Sequence, residues 1–127
     1  MTWLQPPGYV HTMISNTWAE TTLESSAVPF PFAAQRTADG KSLFLRAVNT
    51  YQGSWPVNVT LAGAAASGDA TVWTLGGGAF LKSDDNTPSA PKRISPLQST
   101  LPLAAGATSL AFTMEMNSFV IISVPVQ

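Results

Sequence analysis

The sequence predicts an all-β domain, a β-sandwich or jelly roll of about eight short antiparallel strands with one short N-terminal helix. Three observations carry this: an Asp-Gly turn between two strand-like runs, apolar residues alternating with period two, and turn signals spaced about ten residues apart. With 127 residues, the chain is long enough for one hydrophobic core.

Pro6 and Pro7 close an opening loop, after which Tyr9, Val10, Met13, Ile14 and Trp18 recur at the one-face spacing of a short helix. Residues 1–19 are therefore expected to form a loop and helix, and 20–127 the sandwich. Thr21 to Leu23 begin an extended segment, and the prolines of Val28-Pro29-Phe30-Pro31-Phe32 forbid regular helix. Phe32 to Thr37 and Ser42 to Asn49 flank Ala38-Asp39-Gly40-Lys41 as a hairpin. In its second strand Leu43, Leu45 and Ala47 face one way, and Phe44, Arg46 and Val48 the other. Tyr51-Gln52-Gly53-Ser54 makes a turn into a half-exposed strand in which Val57, Val59 and Leu61 alternate with Asn58, Thr60 and Ala62. Ala64 to Gly68 reads as a loop, Ala70 to Leu75 as a strand, and Gly76-Gly77-Gly78 as a break. The three prolines and Asp84-Asp85-Asn86 within Lys82 to Pro96 predict an irregular excursion over the surface. Leu97 to Leu103 and Ser109 to Met114 read as strands around Ala104-Ala105-Gly106, and Phe119 to Val124 as an interior strand.

Charged residues make up only 10% of the chain and its formal net charge is −1. There is no basic run, so the electrostatic footprint needed for nucleic-acid binding is missing. Ser, Thr, Asn and Gln keep the surface wet instead, a composition common in secreted proteins. No segment reaches the ~20 apolar residues that span a bilayer, so no membrane partner is expected. An extracellular or cell-wall location is expected, with any signal outside this chain. The absence of cysteine excludes disulfides, thiolate metal sites and cysteine nucleophiles.

Glycoside hydrolysis needs two carboxyl groups held across a sugar, and the only glutamates are Glu20, Glu24 and Glu115. Their spacing makes a poor pair, and solvated surface carboxylates are the simpler reading. His11 is the only histidine; without a nucleophile motif it reads as a helix-surface or packing residue. Asp84-Asp85-Asn86 lacks the spaced pattern of a calcium loop. No cofactor or metal is expected. Among the tryptophans, Trp18 and Trp73 have packing positions, while Trp55, in a Gly-Ser-Trp-Pro turn, is the candidate for sugar contact. Asn58-Val59-Thr60 fits the N-glycosylation acceptor rule, with Asn58 on the outward face of its strand.

The run Pro6-Pro7-Gly8-Tyr9-Val10-His11-Thr12-Met13-Ile14-Ser15 resembles the entry to the last barrel helix of glycoside hydrolase family 51 α-L-arabinofuranosidases. Leu43 to Asn49 is similar to that family's strand ending in Val-Asn. Asn86-Thr87-Pro88 through Pro91 and Ile94-Ser95-Pro96 resemble its proline-bearing loop, and Ser118 to Ile122 its closing strand. The resemblance implies a C-terminal sandwich domain packed on a catalytic barrel. The family's two catalytic glutamates lie in that barrel, so none transfers to a position here, and the chain is expected to be no enzyme on its own. Because the family's sandwich also uses strands from before the barrel, the resemblance implies an open sheet edge. Tyr9, Trp18 and the helix face between them are expected to be an exposed apolar patch that meets the barrel or a second copy. The alternative function is an extracellular structural or carbohydrate-associated module that self-assembles into oligomers or fibres.

Overall fold

The computed structural model describes residues 4–26, 30–77 and 84–127. The expectations for Val28, Pro29, Gly78 and Lys82 lie outside these residues. One helix, α1 (Pro6–Asn16), precedes eight strands: β1 (Thr21–Leu23), β2 (Phe32–Arg36), β3 (Ser42–Asn49), β4 (Trp55–Thr60), β5 (Ala70–Gly76), β6 (Leu97–Leu101), β7 (Ser109–Met114) and β8 (Ser118–Pro125). The strands form two antiparallel sheets, one of six strands in the order β1-β2-β3-β8-β5-β6 and one of two, β4-β7. The all-β sandwich, with one short helix among the described residues, is thus the fold that the residue pattern predicts.

The β2–β3 hairpin shows how local chemistry sets register. Gly40 takes φ +73°, a left-handed conformation that a residue without Cβ adopts at little cost. Asp39 Oδ1 accepts from the Thr37 hydroxyl at 2.6 Å and from Lys41 N at 2.9 Å, while Arg36 donates twice to the Gly40 carbonyl. Those bonds align Arg36 with Leu43 and Ala34 with Leu45. Leu43, Leu45 and Ala47 then face the main core, where they meet Val120, Ile122 and Val124 of β8 and Leu110 and Met114 of β7.

Strand β8 runs between β3 and β5, which explains its unbroken apolar run. Its even-numbered residues enter the main core, while Ile121 and Phe119 face the opposite side of the large sheet. That opposite side is covered by α1. Met13, with Tyr9, Val10 and Ile14 around it, packs on Leu75, Trp73, Ile121, Phe119 and Ile94. The molecule therefore has three layers: the small sheet, the large sheet, and the helix with its neighbouring loop.

This packing corrects two sequence expectations. The Tyr9-to-Ile14 face is not a wholly open patch: Met13 is buried, and Tyr9, Val10 and Ile14 are partly buried against the large sheet of the same chain. The helix also stops at Asn16, short of Trp18. Thr17 folds back there, its N–H to the Ile14 carbonyl and its hydroxyl to the Met13 carbonyl at 2.7 Å. Trp18 thus leaves the helical face and is 64% exposed, against the packing position its spacing to Ile14 suggests.

The excursion after β5 is irregular, as its prolines require, but its described part is anchored to the interior and does not simply wander over the surface. Asn86 and Ile94 are buried. The Asn86 side chain donates to the Leu4 and Ile94 carbonyls, both at 2.8 Å, and accepts from Ile94 N at 2.7 Å. Its backbone is clamped by both ends of the Gln5 amide. Gln5 caps α1 by position without a side-chain capping bond; its amide holds this loop against the helix start.

Candidate functional site

The small sheet is narrower than the large one, and the difference leaves a concavity beside β4. A groove of about 780 Å³ runs beside β4, lined by Leu23, Phe32, Leu45, Trp55 and Val57 among others. Its floor is the inner face of β1, β2 and β3, which extends past β4. Leu61 N donates to the Thr108 carbonyl, which sets the parity of the β4–β7 ladder. The N–H and C=O groups of Trp55, Val57 and Val59 therefore point toward β7. Those of Asn58 and Thr60 point to the open side, where no described strand pairs with β4. Pro56, which lacks an N–H, also falls on that side, where a proline costs no ladder bond.

At one end of this groove the turn between β3 and β4 is fastened by one amide. Asn49 is 1% exposed. Its Nδ2 donates to the carbonyls of Gly53 at 3.0 Å, Glu115 at 3.1 Å and Met114 at 3.3 Å, and its Oδ1 accepts from Tyr51 N at 3.0 Å. One side chain thus joins the turn to the end of β7. The Tyr51 ring stacks on Trp55 with centroids 5.3 Å apart and 26° between planes. Trp55 in turn meets Phe30 edge-on at 6.3 Å. Tyr51 keeps 49% of its surface exposed.

Arg46 forms a second polar cluster, on the helix side of the large sheet. It is 8% exposed and donates to Gln35 Oε1 at 2.7 Å and to the Thr17 carbonyl at 2.6 Å. The Trp18 ring lies over its guanidinium, 5.8 Å from the centroid. Burial pushes its pKa below the ordinary arginine value. The only described salt bridge joins Arg93 to Asp84, so Arg46 is balanced by dipoles. Its partner carbonyl stands just past the C-terminal end of α1, where the helix dipole favours a cation. This explains an arginine on a covered sheet face as a fastening between helix and sheet.

The remaining sequence candidates are dispersed. Glu20 accepts from Ala38 N at 2.8 Å beside the β2–β3 turn. Glu24 lines the groove past β1, and Glu115 lies beside Gly77 at the β7–β8 connection. His11 is exposed on α1, and Asn58 is exposed on the outward face of β4. Trp55 is half-buried in its stack. Among the described residues no three His, Cys, Asp or Glu side chains form a metal-binding group, and the Asn86 amide is taken up in its loop. Sequence reasoning singled out Trp55 but missed Tyr51 and the Asn49 clamp. The signal available for the clamp was an Asn ending an apolar strand immediately before a turn.

No protein-family model matches the sequence, and no curated protein matches it. The fold, however, superposes closely on solved glycoside hydrolases. The arabinose-bound α-L-arabinofuranosidase MgGH51 matches 98% of this chain with a TM-score of 0.85 and 16% identity. The arabinose complex of the α-L-arabinofuranosidase from Thermotoga maritima matches 97% with a TM-score of 0.80 and 22% identity. CelM2, a bifunctional glucanase-xylanase from a metagenome library, matches 87% with a TM-score of 0.63 and 21% identity. This chain spans 20% of the length of the first, 29% of the second and 19% of the third. At these identities the likeness is one of fold, and it is the fold that the sequence resemblance implied.

Proposed function

We propose that this chain is the non-catalytic C-terminal accessory domain of an α-L-arabinofuranosidase-like hydrolase acting on arabinose-containing polysaccharides. The observation that carries the reading is the asymmetry of coverage. Nearly all of this chain is matched within enzymes it spans by less than a third. The dispersed surroundings of Glu20, Glu24 and Glu115 agree with it, since a retaining or inverting pair must face one sugar across a few ångströms. In this reading a catalytic barrel in the same polypeptide is the partner. Trp18, left uncovered beside α1, belongs to the surface facing it, while the helix face from Tyr9 to Ile14 is partly taken up by the sheet. The protein works outside the cell, and Asn58, exposed on β4, is where a glycan would attach.

The test is hydrolysis by the chain alone. Incubated with an aryl α-L-arabinofuranoside and with arabinan, it is expected to release no arabinose above background. Turnover that is lost in Glu24→Gln or Glu115→Gln would overturn the accessory reading and make the chain a hydrolase.

One observation favours a second reading, a self-assembling extracellular module: the unpaired edge of β4, since open edges template pairing. Its requirement is association in solution. A chain that stays monomeric across a hundredfold range of concentration would remove it.

A further inference from the structure

We infer that the Tyr51–Trp55 stack is a binding platform for a neutral sugar ring. The ligand class rests on the hydrolase-domain reading above; the site itself rests on geometry.

A ring that binds another ring face must be rigid before the ligand arrives, because ordering it afterwards costs affinity. Asn49 supplies that rigidity by bonding both the Tyr51 and Gly53 backbones within one turn. Trp55 is held by the β4–β7 ladder, where it lies opposite Met114, and by the edge of Phe30. Tyr51 is thus fixed against a backing ring while half its surface meets solvent. An aromatic surface of this kind matches the C–H face of a pyranose or furanose.

The turn and strand that carry the two rings bear no charge of their own, while Glu24 and Arg36 line the adjoining groove. No Asp, Glu, Lys, Arg or His occurs from residue 47 to residue 68. Nucleic acid stacked on the ring would need cations for its phosphates, and none is supplied by this segment. Gln52, Gly53 and Ser54 are exposed beside the pair and offer a neutral amide and hydroxyl.

The test is affinity electrophoresis of the 127-residue chain through gels containing linear arabinan, arabinoxylan or, as an anionic control, polygalacturonate. Retardation is expected in at least one neutral gel and not in the control. Tyr51→Ala should weaken binding about tenfold, the size of one good ring contact. Tyr51→Phe should stay within about twofold, because the ring face is kept. Trp18→Ala, which removes an exposed ring on the other side of the large sheet, should bind as the parent does. Chemical-shift changes in the unmodified chain on adding arabino- or xylo-oligosaccharide should centre on the Tyr51 and Trp55 rings, which keeps the test independent of how the variants fold. Absence of retardation in both neutral gels, equal retardation by polygalacturonate, undiminished binding by Tyr51→Ala, or shifts centred elsewhere would overturn the inference. A chain that binds no sugar can still belong to a hydrolase, and one that binds sugar can belong to another protein. The two readings therefore fail separately.

Discussion

Asn49 is the side chain whose removal should reveal most about how this sandwich is held. It is 1% exposed, donates to three carbonyls and accepts one backbone N–H. In Asn49→Ala all four groups lose that partner; the Met114 carbonyl is buried, while the Gly53 and Glu115 carbonyls and the Tyr51 N–H are partly buried and can turn in part to water. Counting about 1 kcal/mol for each lost bond that solvent cannot fully replace, and a little for the cavity, gives a loss of about 3 kcal/mol. Urea unfolding followed by tryptophan fluorescence should show a midpoint lower by about 2 M at unchanged slope. Asn49→Asp has nearly the same shape, yet its carboxylate would face three carbonyl oxygens. Its folded pKa must rise above the unfolded value of about 3.9. Below that value both states hold the proton and the electrostatic penalty vanishes; it then grows as pH rises toward the folded pKa. The aspartate variant should therefore lose stability progressively above about pH 4 relative to the parent, while the deficit of the alanine variant stays flat. An alanine variant within about 1 kcal/mol of the parent, or an aspartate variant with no added pH dependence, would refute the clamp.

Arg46→Met keeps the length of the side chain but leaves the Thr17 carbonyl without its donor, so a loss of about 2 kcal/mol is expected by thermal unfolding. Trp18→Ala should cost much less, because its ring is mostly in water. Ile121→Ala opens a cavity between α1 and the large sheet at a residue with 0% exposure and should cost about 2–5 kcal/mol in a denaturant titration. Asp39 is held below its usual pKa by the Thr37 hydroxyl first and the Lys41 backbone N–H second. Its stabilisation is present above the unfolded value of about 3.9 and is lost as pH falls through the lower folded value. Asp39→Ala should accordingly flatten the acid limb of stability against pH below about pH 4.

The local part of this fold is legible in the sequence because its causes are local. Asp39-Gly40 sets a turn, the turn sets a register, and period two then assigns Leu43, Leu45 and Ala47 to the core. Ser109–Met114 is read with its observed limits for the same reason. What depends on distant residues is not legible. Nothing near Phe119 shows that its strand lies between β3 and β5, although a run apolar on both faces is the mark of such a place. Spacing from Ile14 to Trp18 continues a helix that Thr17 and Arg46 in fact terminate, and Arg46 lies 29 positions from Thr17. Asn86 reads as loop chemistry until Leu4 and Gln5 arrive from the other end of the chain. At the candidate site Trp55 is visible as a turn aromatic. Its pairing with Tyr51 depends on an amide whose partners come from β7.

The most direct test of the accessory-domain account is the intact mass of the natural polypeptide that contains this sequence, isolated from its source and sequenced through residue 1. The account predicts a chain several times heavier than 13.4 kDa, with a barrel preceding this domain and carrying the carboxylate pair. A natural polypeptide of 13.4 kDa would contradict it and leave a free-standing sandwich that shares only its fold with the hydrolases.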